Sequence, residues 1–412
     1  MRPALLALLA SVSATASADD FPVSVDTADH KVVVEQVLTG LSIPWGIAFL
    51  PDGNALVTER PGSVSLVDLA AGTRVELKGV PGVAAENQGG MLDVQIAPSY
   101  ATDGWVYLCY SIKGMQGLTT RISRHKLVDS ELTDKQVLFT AEPFMKTVHH
   151  FGCRLQFDGK GHVFFGIGDR QERHMAQKLT SDNGKMHRIN EDGTIPADNP
   201  FKNADGKPTS IWSYGHRNPQ GVAFQPGTGE LFVTEHGPRG GDEVNIIRRG
   251  ENFGWPVITY GREYHGPSIG EGTHKDGMLQ PAFQWTPSIG PSGLVFYSGP
   301  AFPKWNGNLL AGGMAFTYLS RLTVNGEQVE DAAERIRRSM ARDRKISGHE
   351  IRWRPERRRA GSAWRSDSRC AIRHHSRTRC RGCSTKCIPP RQVLIRGAYR
   401  PNPIDRGGGP SR

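Results

Sequence analysis

The chain has 412 residues and a formal net charge of +10, which by itself would suggest a nucleic-acid partner. Residues 331–412 hold 23 Lys and Arg against 7 Asp and Glu, whereas residues 1–330 hold 28 against 34, a net charge of −6. The body of the chain is therefore mildly acidic, and this distribution excludes nucleic-acid binding as its function.

The first 18 residues predict a secretory signal peptide. Met1 and Arg2 form a basic start, residues 3–12 are apolar, and Ala16-Ser17-Ala18 forms an A-x-A cleavage site. The stretch is too short to span a bilayer, and no later stretch has about 18 uninterrupted apolar residues. The alternative interpretation is a buried N-terminal helix. We expect an exported, periplasmic protein without a membrane span.

The body repeats a strand–turn–strand unit. The first copy covers residues 41–60 with a Pro-Asp-Gly turn, and further copies begin near residues 92, 154, 221 and 293. Apolar strands joined by Asp-Gly or Gly-rich turns at such intervals are typical of a β-propeller. Cys109 and Cys153 lie in these strand-like stretches, and we predict that both are buried thiols.

The segment 338–412 has a different composition. It is rich in arginine, and neither the strand period nor the helix period persists in it, so we predict a disordered basic tail. Cys380, Cys383 and Cys387 lie near His374-His375, a grouping that would suit zinc. Chance clustering in an arginine-rich segment is the simpler interpretation, because an exported protein would tend to oxidise such thiols.

A propeller closes only when its last blade pairs with its first. After residue 337, where another hairpin is expected, the sequence changes to the arginine-rich segment. We hypothesise that the reading frame is lost near residue 338, since GC-rich codons read out of frame would give this excess of Arg, Pro, Gly and Ser.

Four short stretches carry residues suited to chemistry rather than to a core. They combine histidine, arginine, glycine, amide and acidic residues and cover residues 149–155, 214–221, 235–238 and 242–245. Histidine suits proton abstraction because its neutral form is plentiful near neutral pH. The stretches suggest one pocket with a base, cationic donors and a hard metal ion.

These stretches, together with residues 41–49 and 87–94, resemble the soluble pyrroloquinoline quinone (PQQ)-dependent sugar dehydrogenases of the glucose/sorbosone dehydrogenase family, closest to the periplasmic aldose sugar dehydrogenases. The resemblance implies an all-β, six-bladed β-propeller over residues 19–337, with its last blade missing or incomplete. It also implies oxidation of aldoses at the anomeric carbon to lactones, with PQQ and Ca²⁺ as cofactors. The electrons would pass to an external acceptor such as a quinone, a cytochrome or a dye; association of two chains stays open.

The resemblance also implies roles for single residues. His150 stands in the position of the general base, and Arg217 and Asn218 match residues that contact the quinone. Gln88 and His149 match positions of the sugar pocket, although His149 replaces an acidic residue of the glucose-specific relatives. The ordinary alternatives are a solvated double-histidine turn, a surface arginine and a turn-stabilising glutamine.

Calcium prefers oxygen ligands, including backbone carbonyls. Gly237 and Pro238 match the pair whose carbonyls hold the cofactor's calcium in the family. Glu243 resembles a ligand of a second, structural calcium, with the Phe253 carbonyl as a further candidate. The alternative for Glu243 is a solvated loop end.

Two departures from the family pattern bear on cofactor binding. A lysine that pairs with a cofactor carboxylate is replaced near Ala315, and the arginines of the last blade would lie beyond Arg337. We therefore expect this chain to bind the acidic quinone with lower affinity than its relatives do. Two further functions therefore stay open: a calcium-dependent propeller lactonase or hydrolase, and an inactive truncated propeller that only binds sugar.

Overall fold

The computed structural model describes residues 21–337 and the backbone of residues 351–355. This part of the chain consists almost wholly of antiparallel strands, with one short helix, α1 (Tyr100–Asp103), and two 3₁₀ turns at Arg173–Gln177 and Pro303–Trp305. Five four-stranded sheets form successive blades. The prediction of an all-β propeller is confirmed. No helix among the described residues is long and apolar enough to cross a membrane.

The strands follow the chain in order. An N-terminal hairpin contains β1 (Val23–Asp26) and β2 (Lys31–Gln36). The first blade contains β3 (Pro44–Phe49), β4 (Ala55–Glu59), β5 (Ser63–Asp68) and β6 (Thr73–Glu76). The second contains β7 (Met91–Ile96), β8 (Trp105–Gly114), β9 (Gly117–Val128) and β10 (Glu131–Thr140). The third contains β11 (Leu155–Phe157), β12 (His162–Ile167), β13 (Lys185–Asn190) and β14 (Ile211–Tyr214).

The last two blades continue this scheme. The fourth contains β15 (Pro219–Phe224), β16 (Leu231–Glu235), β17 (Asp242–Ile247) and β18 (Phe283–Trp285). The fifth contains β19 (Pro291–Phe296), β20 (Leu309–Gly313), β21 (Tyr318–Asn325) and β22 (Gln328–Arg337). A final strand, β23 (Ile351–Pro355), follows.

Each blade is an antiparallel meander whose first strand is the innermost, since the first strands of neighbouring blades contact one another. Because the strands alternate in direction, the connections after the second and fourth strands emerge on one face, here called the upper face. The connections after the first and third strands emerge on the lower face. This alternation decides which loops can share a site.

The lower-face turns explain why the hairpins form where they do. In the first blade the Leu50 amide donates to the Asn54 carbonyl at 2.8 Å, and the Asp52 carboxylate accepts from the Asn54 amide at 2.9 Å. Gly53 has φ 96°, a left-handed conformation that glycine takes without steric cost. The Pro-Asp-Gly sequence thus specifies the turn locally.

The hydrophobic core lies between neighbouring blades. Edge-to-face aromatic pairs bridge successive blades: Tyr107–Phe157, Phe164–Phe224 and Phe232–Phe296 join the second to the third, the third to the fourth and the fourth to the fifth. Such pairs contribute about 0.5–1.5 kcal/mol beyond the area that they bury. The blades are therefore stabilised by their neighbours.

A three-stranded sheet follows the fifth blade. Its strand order is β1, β2, β23, and Val34 of β2 pairs with Trp353. Val32 and Val34 pack against the fifth-blade residues Tyr297 and Trp305. Strand β23 lies within the segment 338–412 that the sequence predicts to be disordered. The rest of that segment, with its cysteines and histidines, lies outside the described residues, as does the predicted signal peptide.

The two body cysteines form a disulfide. Cys109 of β8 and Cys153, just before β11, are fully buried and bonded to each other, with their Cα atoms 6.1 Å apart. The prediction of buried positions is confirmed, but the prediction of free thiols is wrong. The two residues are 44 positions apart in sequence, and they meet because the second and third blades pack face to face.

A buried ion pair joins the inner strands of four blades. Arg154 donates from Nη1 to Asp93 of β7 at 2.8 Å and from Nε to the Gln220 carbonyl of β15 at 3.1 Å. Its guanidinium lies 4.1 Å from the ring centroid of Trp45 in β3. The Leu155 amide of β11 donates to the other Asp93 oxygen at 2.8 Å. Arg154 and Asp93 thus fix the centre of the propeller.

Replacing this arginine should destabilise the protein strongly. In Arg154→Met the fully buried Asp93 carboxylate loses its cation, and breaking such a pair costs about 3–5 kcal/mol of unfolding free energy. The control is Lys113→Met, which breaks an exposed pair with Glu86 and should cost no more than about 1 kcal/mol. Urea unfolding of both variants measures the difference, and equal small losses would contradict the assignment.

Candidate functional site

The predicted site residues lie on connections that emerge on the upper face. His149 and His150 follow β10, Arg217 and Asn218 follow β14, and Gly237-Pro238 follows β16. Each belongs to a connection after a second or a fourth strand. The structure therefore brings residues from three blades to one end of the propeller, where their contacts can be traced atom by atom.

A chain of hydrogen bonds starts at His150. Its Nδ1 lies 2.6 Å from Oδ1 of Asp169, a buried residue on the connection after β12. The other Asp169 oxygen accepts from Nε1 of Trp255 at 2.7 Å, and the Asp169 amide donates to the Arg217 carbonyl at 2.8 Å. This arrangement holds the imidazole with Nδ1 bonded. Nε2 makes no hydrogen bond within the described residues, so it is available to a substrate.

Sequence reasoning missed Asp169 and Trp255. Asp169 lies two residues after β12, at the end of this strand that faces upward, and a carboxylate at that position could have been recognised as a partner for the base. Trp255 lies in the long connection between β17 and β18. Nothing in the local sequence indicates that its indole reaches a residue 86 positions away.

Burial controls the charge of His150, which is 8% exposed. Burial lowers the pKa of His150 below its ordinary value, and the nearby Arg217 and His149 lower it further. Asp169 opposes them by hydrogen bonding and by its charge. The net lowering keeps the imidazole neutral near neutral pH, the state required of a general base.

The backbone at His150 is held in an uncommon conformation. Its φ is 54°, and the Oε1 atom of Gln88 accepts its amide proton at 2.8 Å. A Cβ atom on Gly168 would lie 2.2 Å from the His150 carbonyl oxygen, so only glycine fits opposite the turn. Gln88 thus stabilises the turn, in line with the ordinary interpretation of this residue.

His149 lies beside the base, with the two ring centroids 6.4 Å apart. Its carbonyl accepts from Nε of Arg170 at 2.9 Å, whereas its Nδ1 is buried without a hydrogen-bond partner among the described residues. Buried polar atoms are normally paired. This one marks a position where a polar ligand could supply the missing hydrogen bond.

Arg217 is buried but only partly paired. Its amide donates to Glu235 at 2.8 Å and its Nη1 donates to the His236 carbonyl at 2.9 Å. Its Nε is buried without a partner within residues 21–337, and the guanidinium lies 5.4 Å from the Trp255 ring centroid. The neighbouring Asn218 is buried and contacts Gln220. Arg217 therefore keeps a donor for an anionic or carbonyl group.

The Gly237-Pro238 loop is folded tightly. The Gly237 amide donates to Asp242 Oδ1 at 2.8 Å, and the second Asp242 oxygen accepts from the Gly290 amide at 2.7 Å. A Cβ on Gly237 would lie 2.2 Å from the Gly241 carbonyl. The carbonyls of Gly237 and Pro238 accept no hydrogen bond from the described part of the chain. Two such oxygens fit the donor set of calcium.

Glu243 lies in a concentration of negative charge. The Nδ2 group of Asn245 donates to Glu243 at 3.1 Å and to Glu235 at 2.7 Å, so the two carboxylates share one donor. Burial, followed by the charge of Glu235, raises the pKa of Glu243 to about 8. Phe253 stacks on His216, which in turn contacts Glu235. No group of three or more His, Cys, Asp or Glu side chains converges as a metal site within residues 21–337.

Comparisons with known proteins place the chain among sugar dehydrogenases by sequence and fold. The family model described as Glucose / Sorbosone dehydrogenase matches residues 41–350. The aldose sugar dehydrogenase of Escherichia coli is 41% identical over 310 residues, which are 74% of this chain and 84% of that protein.

Two solved structures extend the comparison. The apo crystal structure of the soluble E. coli aldose sugar dehydrogenase has a TM-score of 0.72 at 41% identity, covering 74% of this chain and 89% of that one. The PQQ-bound aldose sugar dehydrogenase of Streptomyces coelicolor has a TM-score of 0.61 at 30% identity, covering 74% and 85%.

The charges around His150 predict opposite effects of two substitutions. Asp169→Asn should lower the pKa of His150 further, because it removes a hydrogen-bonded negative charge. Arg217→Met should raise it, because it removes a nearby positive charge. Histidine ring NMR across pH measures both, with His150→Gln identifying the signal and the exposed His265 as internal control. Shifts in the same direction would contradict the described geometry.

Proposed function

Because the chain belongs to the glucose/sorbosone dehydrogenase family, we propose that it oxidises aldose sugars at the anomeric carbon to lactones with PQQ and calcium. The observation that carries the proposal is the buried His150 held by Asp169, next to the partly paired Arg217. A base and a cationic donor at one end of the propeller are what such an oxidation requires.

His150 takes the proton of the anomeric hydroxyl at Nε2, while Asp169 stabilises the imidazolium that results. When bound, PQQ supplies the acceptor for the hydride that leaves the anomeric carbon. Arg217 and Asn218 would hold the quinone, and the Gly237 and Pro238 carbonyls would hold its calcium. The unpaired Nε of Arg217 and the two free carbonyls fit these roles. The external acceptor of the electrons would be a quinone, a cytochrome or a dye.

The remaining site assignments follow from the same proposal. Gln88 and His149 face the sugar, with the unpaired Nδ1 of His149 as a hydrogen-bonding group for a ring hydroxyl. Glu243 and the Phe253 carbonyl would contribute to a second, structural calcium, supported by the negative charge around Glu243. Export to the periplasm is supported by the disulfide, because disulfides persist in oxidising compartments.

We take the three-stranded sheet as an incomplete sixth blade, supported by its packing on the fifth. We also propose that the reading frame is lost near residue 338. The family match ends at residue 350, shortly after that point. Resequencing the locus tests this idea, which fails if no single-base shift restores a Pro-Asp-Gly hairpin.

Reconstitution separates this function from the alternatives. Dye reduction with several aldoses after addition of PQQ and calcium supports the dehydrogenase. Cleavage of lactones or esters without dye reduction would instead support a hydrolase, whose carboxylate-rich metal shell the residues 21–337 do not form. A folded protein that binds sugar but reduces no dye would support the inactive propeller.

Replacing the base should abolish most turnover. His150→Ala is expected to lower kcat by about two to four orders of magnitude, the usual contribution of a general base. In the unaltered protein the rate should fall only at acidic pH, below the ordinary range of histidine, as His150 gains a proton. His162→Ala, at the lower-face end of β12, is the control and should leave kcat unchanged. Equal rates for both variants would remove the assignment.

Calcium removal should release the quinone. We expect a calcium chelator to dissociate PQQ, measured by absorbance after gel filtration, and added Ca²⁺ to restore binding. Mg²⁺ should restore it poorly, because it demands octahedral geometry and keeps its waters. Full retention of PQQ after exhaustive chelation would contradict a role for the Gly237 and Pro238 carbonyls.

A further inference from the structure

The Cys109–Cys153 disulfide lies close to the base along the chain. Cys153 is three residues after His150, and Cys109 lies in β8 of the second blade. Both are fully buried in the core between the second and third blades. The bond therefore ties the turn that carries His150 to a central strand of the neighbouring blade.

That turn has a left-handed backbone at several positions. φ is 54° at His150, 67° at Gly152 and 80° at Cys153. Glycine adopts such angles freely, but a cysteine does so only when its surroundings hold it there. At Cys153 the surroundings are a backbone hydrogen bond to the Gly166 carbonyl at 2.7 Å and the bond to Cys109.

We propose that the Cys109–Cys153 disulfide is a positioning element for His150. It holds residue 153 in the left-handed conformation and so keeps the imidazole on Asp169. The inference rests on the proposed function only in naming His150 as the base. The conformation itself can be followed without any turnover.

Other side-chain contacts hold the first part of the turn. Arg170 donates to the carbonyls of His149 and Thr147, and its guanidinium lies 3.7 Å from the Phe151 ring centroid. These contacts hold the part of the turn that precedes residue 152. Beyond residue 152, the disulfide is the bond that holds the side chain of Cys153 in the described part of the chain.

Two variants test the inference. Cys109→Ala removes the bond and leaves the left-handed backbone of Cys153 supported only by its hydrogen bond to the Gly166 carbonyl. Cys109→Ala/Cys153→Gly removes the bond as well but places at 153 a residue that accepts φ 80° without strain. Peptide mapping without reduction comes first. It should recover the Cys109 and Cys153 peptides as one linked species, and free thiols at both positions would overturn the inference.

The readouts are the NMR titration of His150 and the steady-state constants of the full chain with PQQ and calcium. In Cys109→Ala the pKa of His150 should move back toward its ordinary value as burial is lost. There kcat should fall about 10- to 100-fold, the effect of a small misplacement, while KM for the aldose changes less. Cys109→Ala/Cys153→Gly should restore both readouts to nearly those of the parent.

Each other outcome overturns the proposal. A parental titration and kcat in Cys109→Ala would show that the bond does not position His150. Equal defects in both variants would show that its effect does not pass through the backbone at 153. If Cys109→Ala does not fold, the test rests on Cys109→Ala/Cys153→Gly alone. A His150 titration in that variant that differs from the parent's contradicts the proposal. If no aldose is oxidised by the parent, the proposed function fails, and the titration still tests the disulfide.

Discussion

The buried pair of Arg154 and Asp93 is the interaction on which the rest of the structure depends. A guanidinium and a carboxylate removed from water are stable only while their hydrogen bonds stay complete. Here those bonds extend to inner strands of the second, third and fourth blades, with Trp45 of the first beneath the guanidinium. Arg154 directly follows Cys153, so this central pair anchors the C-terminal end of the turn that carries His150.

The fold was predictable where its determinants are local. The Pro51-Asp52-Gly53 turn and the apolar strands beside it specify a hairpin without reference to the rest of the chain. The pairing of Val34 with Trp353 was not predictable, because no strand period marks the arginine-rich segment that contains Trp353. The disulfide was missed for a similar reason: two buried cysteines on separate hairpins do not show in sequence that neighbouring blades bring them together.

The site shows the same division. His150 and Arg217 could be found because each belongs to a short motif whose residue types suit the chemistry. Trp255 could not, since its role arises only when separate connections meet at the upper face. Asp169 did carry a signal, a carboxylate shortly after a strand of the third blade, but its bond to His150 shows only in the folded chain. Gln88 shows the limit of assigning roles by residue type. Its carboxamide oxygen accepts the His150 amide, so one of its functional groups is already committed to the turn.

The separation of the two faces has a practical consequence. The lower-face turns at Gly53, Gly159 and Gly227 are exposed and belong to connections that contribute no group to the site described above. Exposed loop tips of this kind tolerate insertions and attachments best. A tether to an electrode, a bead or a fused carrier protein placed at these turns would orient the molecule with its reactive end toward the surrounding solution.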